Sequence, residues 1–170
     1  MENEEPTEEL NEEQEAMESV HRKEYDFHLC LVNPKAPGPY DRLIIPEVLE
    51  EMQVRAGAYI IGIEEGETAV GAVAGFFDMD EDRDIYFVLG SLYIAPDYRC
   101  CGAASILFEE FIKQLQISRK RPRYMLAEFP TEDEDMELLY TFLSEEGMDE
   151  LYSETEDDVW QCLVMGLNEI

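Results

Sequence analysis

The passage from Ile85 to Gln116 constrains this chain more than any other. Ile85 to Ile94 (IYFVLGSLYI) is an apolar run with no charged side chain, the pattern of a central strand. Pro96 ends it, since proline has no N–H to give to a sheet ladder. From Ala103 to Gln116, Ile106, Leu107, Phe111, Ile112 and Leu115 recur at helical spacing, which predicts an amphipathic helix. Any fold has to be built around that strand, the loop after it and the helix that follows.

The flanking sequence supplies the other elements. Tyr25–Val32 alternates and reads as a strand, and the proline-rich stretch from Asn33 to Tyr40 reads as a loop. Leu43–Arg55 has helical spacing, with Pro46 tolerable only in a first turn, so that helix begins near Ile45. Ala58–Glu64 and Thr68–Phe77 form a hairpin across Glu65-Gly66-Glu67, followed by a charged connector from Asp78 to Asp84. Tyr124–Phe129 reads as a strand and Glu132–Glu145 as a helix closed by Gly147. Leu151–Glu154 and Val159–Leu167 read as a terminal antiparallel pair. The order β-α-β-β-β-α-β-α-β-β is that of a mixed α/β sheet flanked by helices, not of a doubly wound fold.

Length and charge limit the partners. A chain of 170 residues suits one domain. The first 20 residues hold nine Glu and no Lys or Arg, so residues 1–23 are expected to be a disordered acidic tail and 24–170 the domain. The net charge is −29, and the body is acidic as well as the tail, which argues against nucleic acid and favours cationic partners. No apolar run is long enough for a membrane helix, and the acidic start MENEEPTEEL is no signal peptide, so a cytoplasmic protein with reduced thiols is expected. The four cysteines, Cys30, Cys100, Cys101 and Cys162, match no zinc spacing, and no metal is expected. The oligomeric state is open between a monomer and a homodimer.

The chemistry lies between the central strand and its helix, in Arg99-Cys100-Cys101-Gly102-Ala103-Ala104. The first N–H groups of a helix have no intrahelical partner and carry partial positive charge, which makes an anion site. Gly102 admits a bulky phosphate and Ala104 keeps the next contact small. There is neither a P-loop lysine nor a G-x-G-x-x-G, so nucleoside triphosphates and NAD are poorly supported. Cys100 and Cys101 read as spacer positions, because a bound phosphate would oppose a thiolate there.

Arg99-x-x-Gly102-x-Ala104, preceded by Leu92-x-Ile94-x-Pro96, resembles the cofactor motif of the GNAT superfamily of N-acetyltransferases, and the order of elements is similar over about residues 24 to 167. The resemblance implies a mixed, mostly antiparallel sheet flanked by helices, of the acyl-CoA N-acyltransferase (GNAT) type, and acetyl-CoA as cosubstrate. It implies that the central strand is bulged and splays from the next one. Backbone groups of Leu92, Tyr93 and Ile94 would then hold the pantetheine arm, and the N–H groups of Arg99, Cys100, Cys101, Gly102, Ala103 and Ala104 the pyrophosphate. The cluster Arg119–Arg123 would meet the 3′-phosphate; read from its own residues, it complements a helix C-terminus.

The family's reaction is direct attack of a primary amine on the thioester, with a backbone N–H polarising the carbonyl and a helix tyrosine serving the thiolate. That tyrosine commonly stands four residues before a Gly-Phe pair. Here Gly147-Met148 takes the place of the pair and Leu143 that of the tyrosine, with Tyr140 one turn earlier on the same face. Tyr140 and Glu128 are the catalytic candidates, against their plain readings as a packed aromatic and a solvated strand residue. Acceptors are a small-molecule or peptide amine, with Asn33–Arg55 and the late strands setting specificity. Two other readings stay open: an inactive acyl-CoA-binding or regulatory module, and an acidic interaction protein.

Overall fold

The computed structural model describes residues 24–130, 134–151 and 160–168. In chain order the elements are β1 (Phe27–Val32), a 3-10 turn (Gly38–Leu43), α1 (Pro46–Val54), β2 (Ala58–Glu65), β3 (Thr68–Met79), β4 (Ile85–Ile94), a second 3-10 turn (Pro96–Tyr98), α2 (Ala103–Ile117), β5 (Tyr124–Pro130), α3 (Glu134–Glu145), β6 (Asp149–Glu150) and β7 (Trp160–Gly166). The expected acidic tail lies outside the described residues.

One seven-stranded sheet runs β1-β2-β3-β4-β5-β7-β6. Every neighbouring pair is antiparallel except β4 and β5, which are parallel and joined through α2. The sheet is therefore mixed and mostly antiparallel, as the motif resemblance implied. Both of its faces are covered. Phe87, Leu107, Phe111, Leu115, Met125, Leu143 and Leu163 form the core shared with α2 and α3. Tyr40, Leu43, Met52, Ile60 and Phe76 form the other, under the first 3-10 turn and α1.

That double covering explains the small residues of β3, which is buried from Ala69 to Phe76. A Cβ on Gly75 would stand 2.0 Å from the Val88 carbonyl oxygen. Pro46 occupies the first turn of α1, and the C-terminal end of that helix is capped by Lys35, whose ammonium donates to the Met52 and Gln53 carbonyls at 2.6 and 2.9 Å.

The structure moves several expected boundaries. β1 starts at Phe27, and β3 runs to Met79, into the charged connector. β6 is the pair Asp149–Glu150 instead of Leu151–Glu154, bonded to Val164 and Leu163. Residues 152–159, which include parts of both expected terminal strands, lie outside the described residues, as do 132 and 133 at the expected start of α3. On α2, Ile106 is 42% exposed and Phe108 is buried instead. At 100° per residue the buried stripe of Leu107, Phe108, Phe111 and Leu115 lies on the side of the helix away from Ile106.

The basic cluster is also misplaced for a 3′-phosphate. Arg119–Arg123 follows the C-terminal end of α2, and Gly102 precedes its N-terminal end. A 15-residue helix separates them, a span of about 22 Å at 1.5 Å per residue.

Candidate functional site

β4 and β5 are paired only from Tyr86 opposite Tyr124 to Leu89 opposite Ala127. Beyond that point β4 continues to Ile94 against β3, while β5 continues against β7, and the two neighbours part. The parting coincides with a bulge. Ser91 faces Ala74 and Leu89 faces Gly75, so Gly90 is an extra residue in β4. α1 lies directly over it, because a Cβ on Gly90 would meet the two Val48 methyls at 3.0 and 3.2 Å.

The bulge decides which backbone groups face the gap. Ala95 N–H donates to the Val70 carbonyl at 2.7 Å. Antiparallel alternation then turns Tyr93 toward β3 as well, and leaves the N–H and C=O groups of Leu92 and Ile94 on the parted edge. Arg99 Nε donates to the Ile94 carbonyl at 2.8 Å, and its guanidinium lies 5.2 Å from the centre of the Tyr93 ring. The remaining edge groups are the Leu92 N–H and C=O and the Ile94 N–H. Tyr93, expected to offer its backbone here, is spent on the β3 ladder.

The loop after β4 is folded by two left-handed residues, Cys100 at φ 61° and Gly102 at φ 86°. Among the described residues, no backbone N–H from Cys100 to Ser105 donates to a carbonyl. A Cβ built on Gly102 meets nothing within 4 Å, so the loop is open where those N–H groups converge. The Cys101 thiol donates to the Tyr98 carbonyl at 2.6 Å and packs toward the core, which leaves it structural. Cys100 is exposed.

A cavity of about 820 Å³ fills the gap between the parted strands. Val88 to Leu92 and Ala127 form its floor, α1 one wall, and Leu139 and Leu143 of α3 another. Among the described residues its carboxylates are Glu47, Glu51, Asp78 and Glu128, against one guanidinium, Arg55. Arg55 is already engaged, 3.5 Å from both Glu51 and Asp78 and over the Phe76 ring. Ser91, 1% exposed, accepts the Ile45 N–H at 3.2 Å and so ties the start of α1 to the bulge. Burial, and then the charge of Glu128, push the thiol of Cys162 on β7 upward.

A bulged, parted strand pair and an open N–H loop at a helix start are joined here in one unit. The family profile described as "Acetyltransferase (GNAT) family" matches residues 26–141, most of the chain. The chain belongs to the GNAT acetyltransferase family.

Solved structures agree with this GNAT assignment at the level of fold. A putative GNAT acetyltransferase from Desulfovibrio desulfuricans superposes with TM-score 0.65 at 13% identity, covering 84% of this chain and 99% of the other. Arabidopsis thaliana NAA60 in complex with acetyl-CoA gives 0.57 at 13% identity, covering 85% and 100%. A glucosamine N-acetyltransferase region of a fungal multi-domain β-N-acetylglucosaminidase gives 0.63 at 12% identity; 78% of this chain is covered, but it spans only 18% of that protein. Comparison with curated protein sequences gives no significant match.

In this GNAT domain the expected site residues fall into three groups. Leu92, Ile94 and Arg99 to Ala104 surround the open edge and loop, and Glu128 lines the cavity. Leu143, fully buried, lines the cavity. Tyr140 is not in the cavity wall; its hydroxyl lies 3.5 Å from Glu150 on β6. Ile45, Glu47, Val48, Arg55 and Ser91 were missed as individual residues. The only signal for them was the position of Asn33–Arg55 before the central strands and the glycine inside β4.

No helix among the described residues is long and apolar enough to cross a membrane, and they hold no cluster of metal-ligating side chains.

Proposed function

We propose that this chain is an N-acetyltransferase that moves the acetyl group of acetyl-CoA to a primary amine by direct attack. The parting of β4 from β5 after Leu89 and Ala127, beside the open loop at Gly102, carries the proposal. Acetyl-CoA supplies an acetyl group already activated as a thioester. The free N–H groups from Cys100 to Ala104 hold its diphosphate, with Arg99 bracing the loop against Ile94. The Leu92 N–H and C=O and the Ile94 N–H hold the pantetheine arm as an added strand. The bulge at Gly90 aims an N–H of β4 at the carbonyl oxygen, where negative charge develops during attack.

The amine must shed a proton before it attacks, and Glu128 is the carboxylate on the β5 wall that accepts it, directly or through one water. Four carboxylates against one engaged guanidinium favour a cationic acceptor. Val48, Leu92 and Leu143 keep the reacting end apolar. For Tyr140 to protonate the leaving thiolate, its hydroxyl has to leave Glu150. We further propose that residues 24–170 form the domain, that 1–23 are an acidic tail, and that the protein works in the cytoplasm.

Acyl-CoA binding without turnover is the second reading, and Leu143 in the cavity wall is the observation that favours it. One experiment tests both. At about 100 times its dissociation constant, a ligand stabilises a fold by about 2.7 kcal/mol, roughly 5 to 10 °C for a domain of this size. Acetyl-CoA should produce that shift in the parent and not in Gly102→Glu. No shift in a folded parent rejects both readings. A shift without CoA release over a panel of primary amines rejects the enzyme and keeps the binding module.

A further inference from the structure

The basic stretch after α2 is left over by the acetyl-transfer reading. We propose that Arg83, Lys120, Arg121 and Arg123 form a binding site for a polyphosphate, an anion with two or more linked phosphoryl groups, at the end of the sheet opposite the Gly102 loop.

The four cations line one cavity of about 450 Å³, where β4 and β5 begin and α2 has ended. The whole chain has 12 Lys and Arg against 41 Asp and Glu, so a third of its cations converge on this cavity. Among the described residues one carboxylate, Asp84, lines it, and that carboxylate is paired with Arg123. Nearby Asp80 is engaged by the Tyr124 hydroxyl at 2.8 Å. Neither Arg83 nor Arg121 pairs with a carboxylate among the described residues. On a surface with such a surplus of carboxylates, two arginines left unpaired at the same cavity are unexpected.

The backbone holds them in that arrangement. Arg83 has φ 67° and Arg121 φ 45°, a left-handed region that residues with a Cβ seldom adopt. Strained backbone of this kind persists where surrounding structure imposes it, and it concentrates at ligand clamps. Service to the helix dipole does not account for the cluster. None of the four side chains donates to a carbonyl of α2 among the described residues, and Arg83 comes from the connector between β3 and β4. Lys120 Nζ instead lies 4.9 Å from the centre of the Phe77 ring.

The ligand class follows from the donors. A guanidinium presents parallel N–H groups that match two phosphate oxygens, a geometry an ammonium lacks. Two unpaired forks from separate loops, with Lys120 beside them, suit linked phosphoryl groups better than one phosphate. Glu81 and Asp82 precede Arg83 in the connector and oppose an anion, while carboxylates more than about 8 Å away are screened at physiological ionic strength. The C-terminal end of α2 opposes it only within its last turn, where the Ser118 N–H and hydroxyl both bond the Leu115 carbonyl.

Calorimetric titration with tripolyphosphate and with ADP, at constant ionic strength and with acetyl-CoA present in excess to fill the Gly102 loop, tests the assignment in the full chain. The comparison is the double variant Arg83→Gly, Arg121→Gly. Glycine accepts positive φ, so the variant keeps the backbone and loses the charge. A second pair, Arg83→Asn with Arg121→Asn, guards against an effect peculiar to glycine. The parent should bind both probes, and both variant pairs should bind at least tenfold more weakly while keeping the parent's thermal midpoint without ligand. Three results overturn the proposal: no binding to the parent, undiminished binding to either folded pair, or equal affinity for citrate, whose charges are on carboxylates.

Discussion

The Ser105 hydroxyl donates to the Glu146 carboxylate across 3.0 Å, which places a negative side chain from beyond the end of α3 against the first turn of α2. This is the turn whose free N–H groups are proposed to hold a diphosphate. A carboxylate there competes for the same partial positive charge. Glu146→Gln keeps a hydrogen-bond acceptor and removes the charge. It should tighten acetyl-CoA binding by roughly fivefold, as expected for one like charge at a few ångströms in water. Titration of both proteins measures this, and an unchanged or weaker affinity would place the diphosphate elsewhere.

The proton traffic is separable by three variants. Glu128→Gln should lower kcat/KM by about two orders of magnitude near neutral pH, with acetyl-CoA affinity unchanged, as for loss of a general base. Tyr140→Phe should leave kcat within about threefold if the hydroxyl stays with Glu150, and a loss of the size expected for a general acid would assign it to the sulfur. Leu143→Tyr puts a hydroxyl on the cavity wall, and a raised kcat is expected if position 143 is where the leaving thiolate is served. Steady-state kinetics with one amine acceptor decides all three.

Gly75→Ala should be among the most damaging single-methyl changes in the fold. The added carbon would meet the Val88 carbonyl oxygen at 2.0 Å and the Phe87 ring at 2.6 Å, and β4 cannot withdraw without breaking its pairing. A loss of about 3 kcal/mol is expected, at the upper end of overpacking costs. Phe111→Ala, at a fully buried position under the same sheet, should cost about 3 to 5 kcal/mol. Urea denaturation followed by circular dichroism reads both.

Alkaline stability should fall earlier than the native tyrosines ionise. Burial, and then the hydrogen bond to Asp80, push the Tyr124 hydroxyl from 10.0 up to about 12. Tyr40, Tyr59 and Tyr86 are also raised, each chiefly by burial. Because the folded value lies above the unfolded one, the stabilisation is fully present below pH 10 and is lost as pH rises through the window to about 12. Asp80 has the opposite sign. The Tyr124 hydrogen bond holds its carboxyl below the ordinary range, so its contribution is present above that range and is lost as acid protonates it. Tyr124→Phe should flatten both limbs of a plot of urea midpoint against pH; no change on the alkaline limb would refute the assignment.

The order of elements was legible because its signals are local. Proline stops β4, opens α1 in its first turn and marks the loop between β1 and α1, and each of these needs only the residue itself. The Gly102 loop was legible for the same reason, since a helix start has free N–H groups whatever surrounds it. Ile106 was misread because periodicity shows that a helix has an apolar stripe, while the direction that stripe faces depends on what packs against it. The terminal antiparallel pair is present, but its first strand was placed two residues late because β6 is two residues long, too short to carry an alternating pattern.

By itself, the sequence determined a mixed sheet, a helix started by a glycine loop and an acidic surface, because propensity, punctuation and charge belong to residues one at a time. Tertiary structure alone decided that Tyr93 turns away from the gap, that Leu143 and not Tyr140 lines the cavity, and that Arg83 joins Arg121 some forty residues along the chain. Each of these depends on strand register and helix docking, and those are set by contacts between segments distant in sequence.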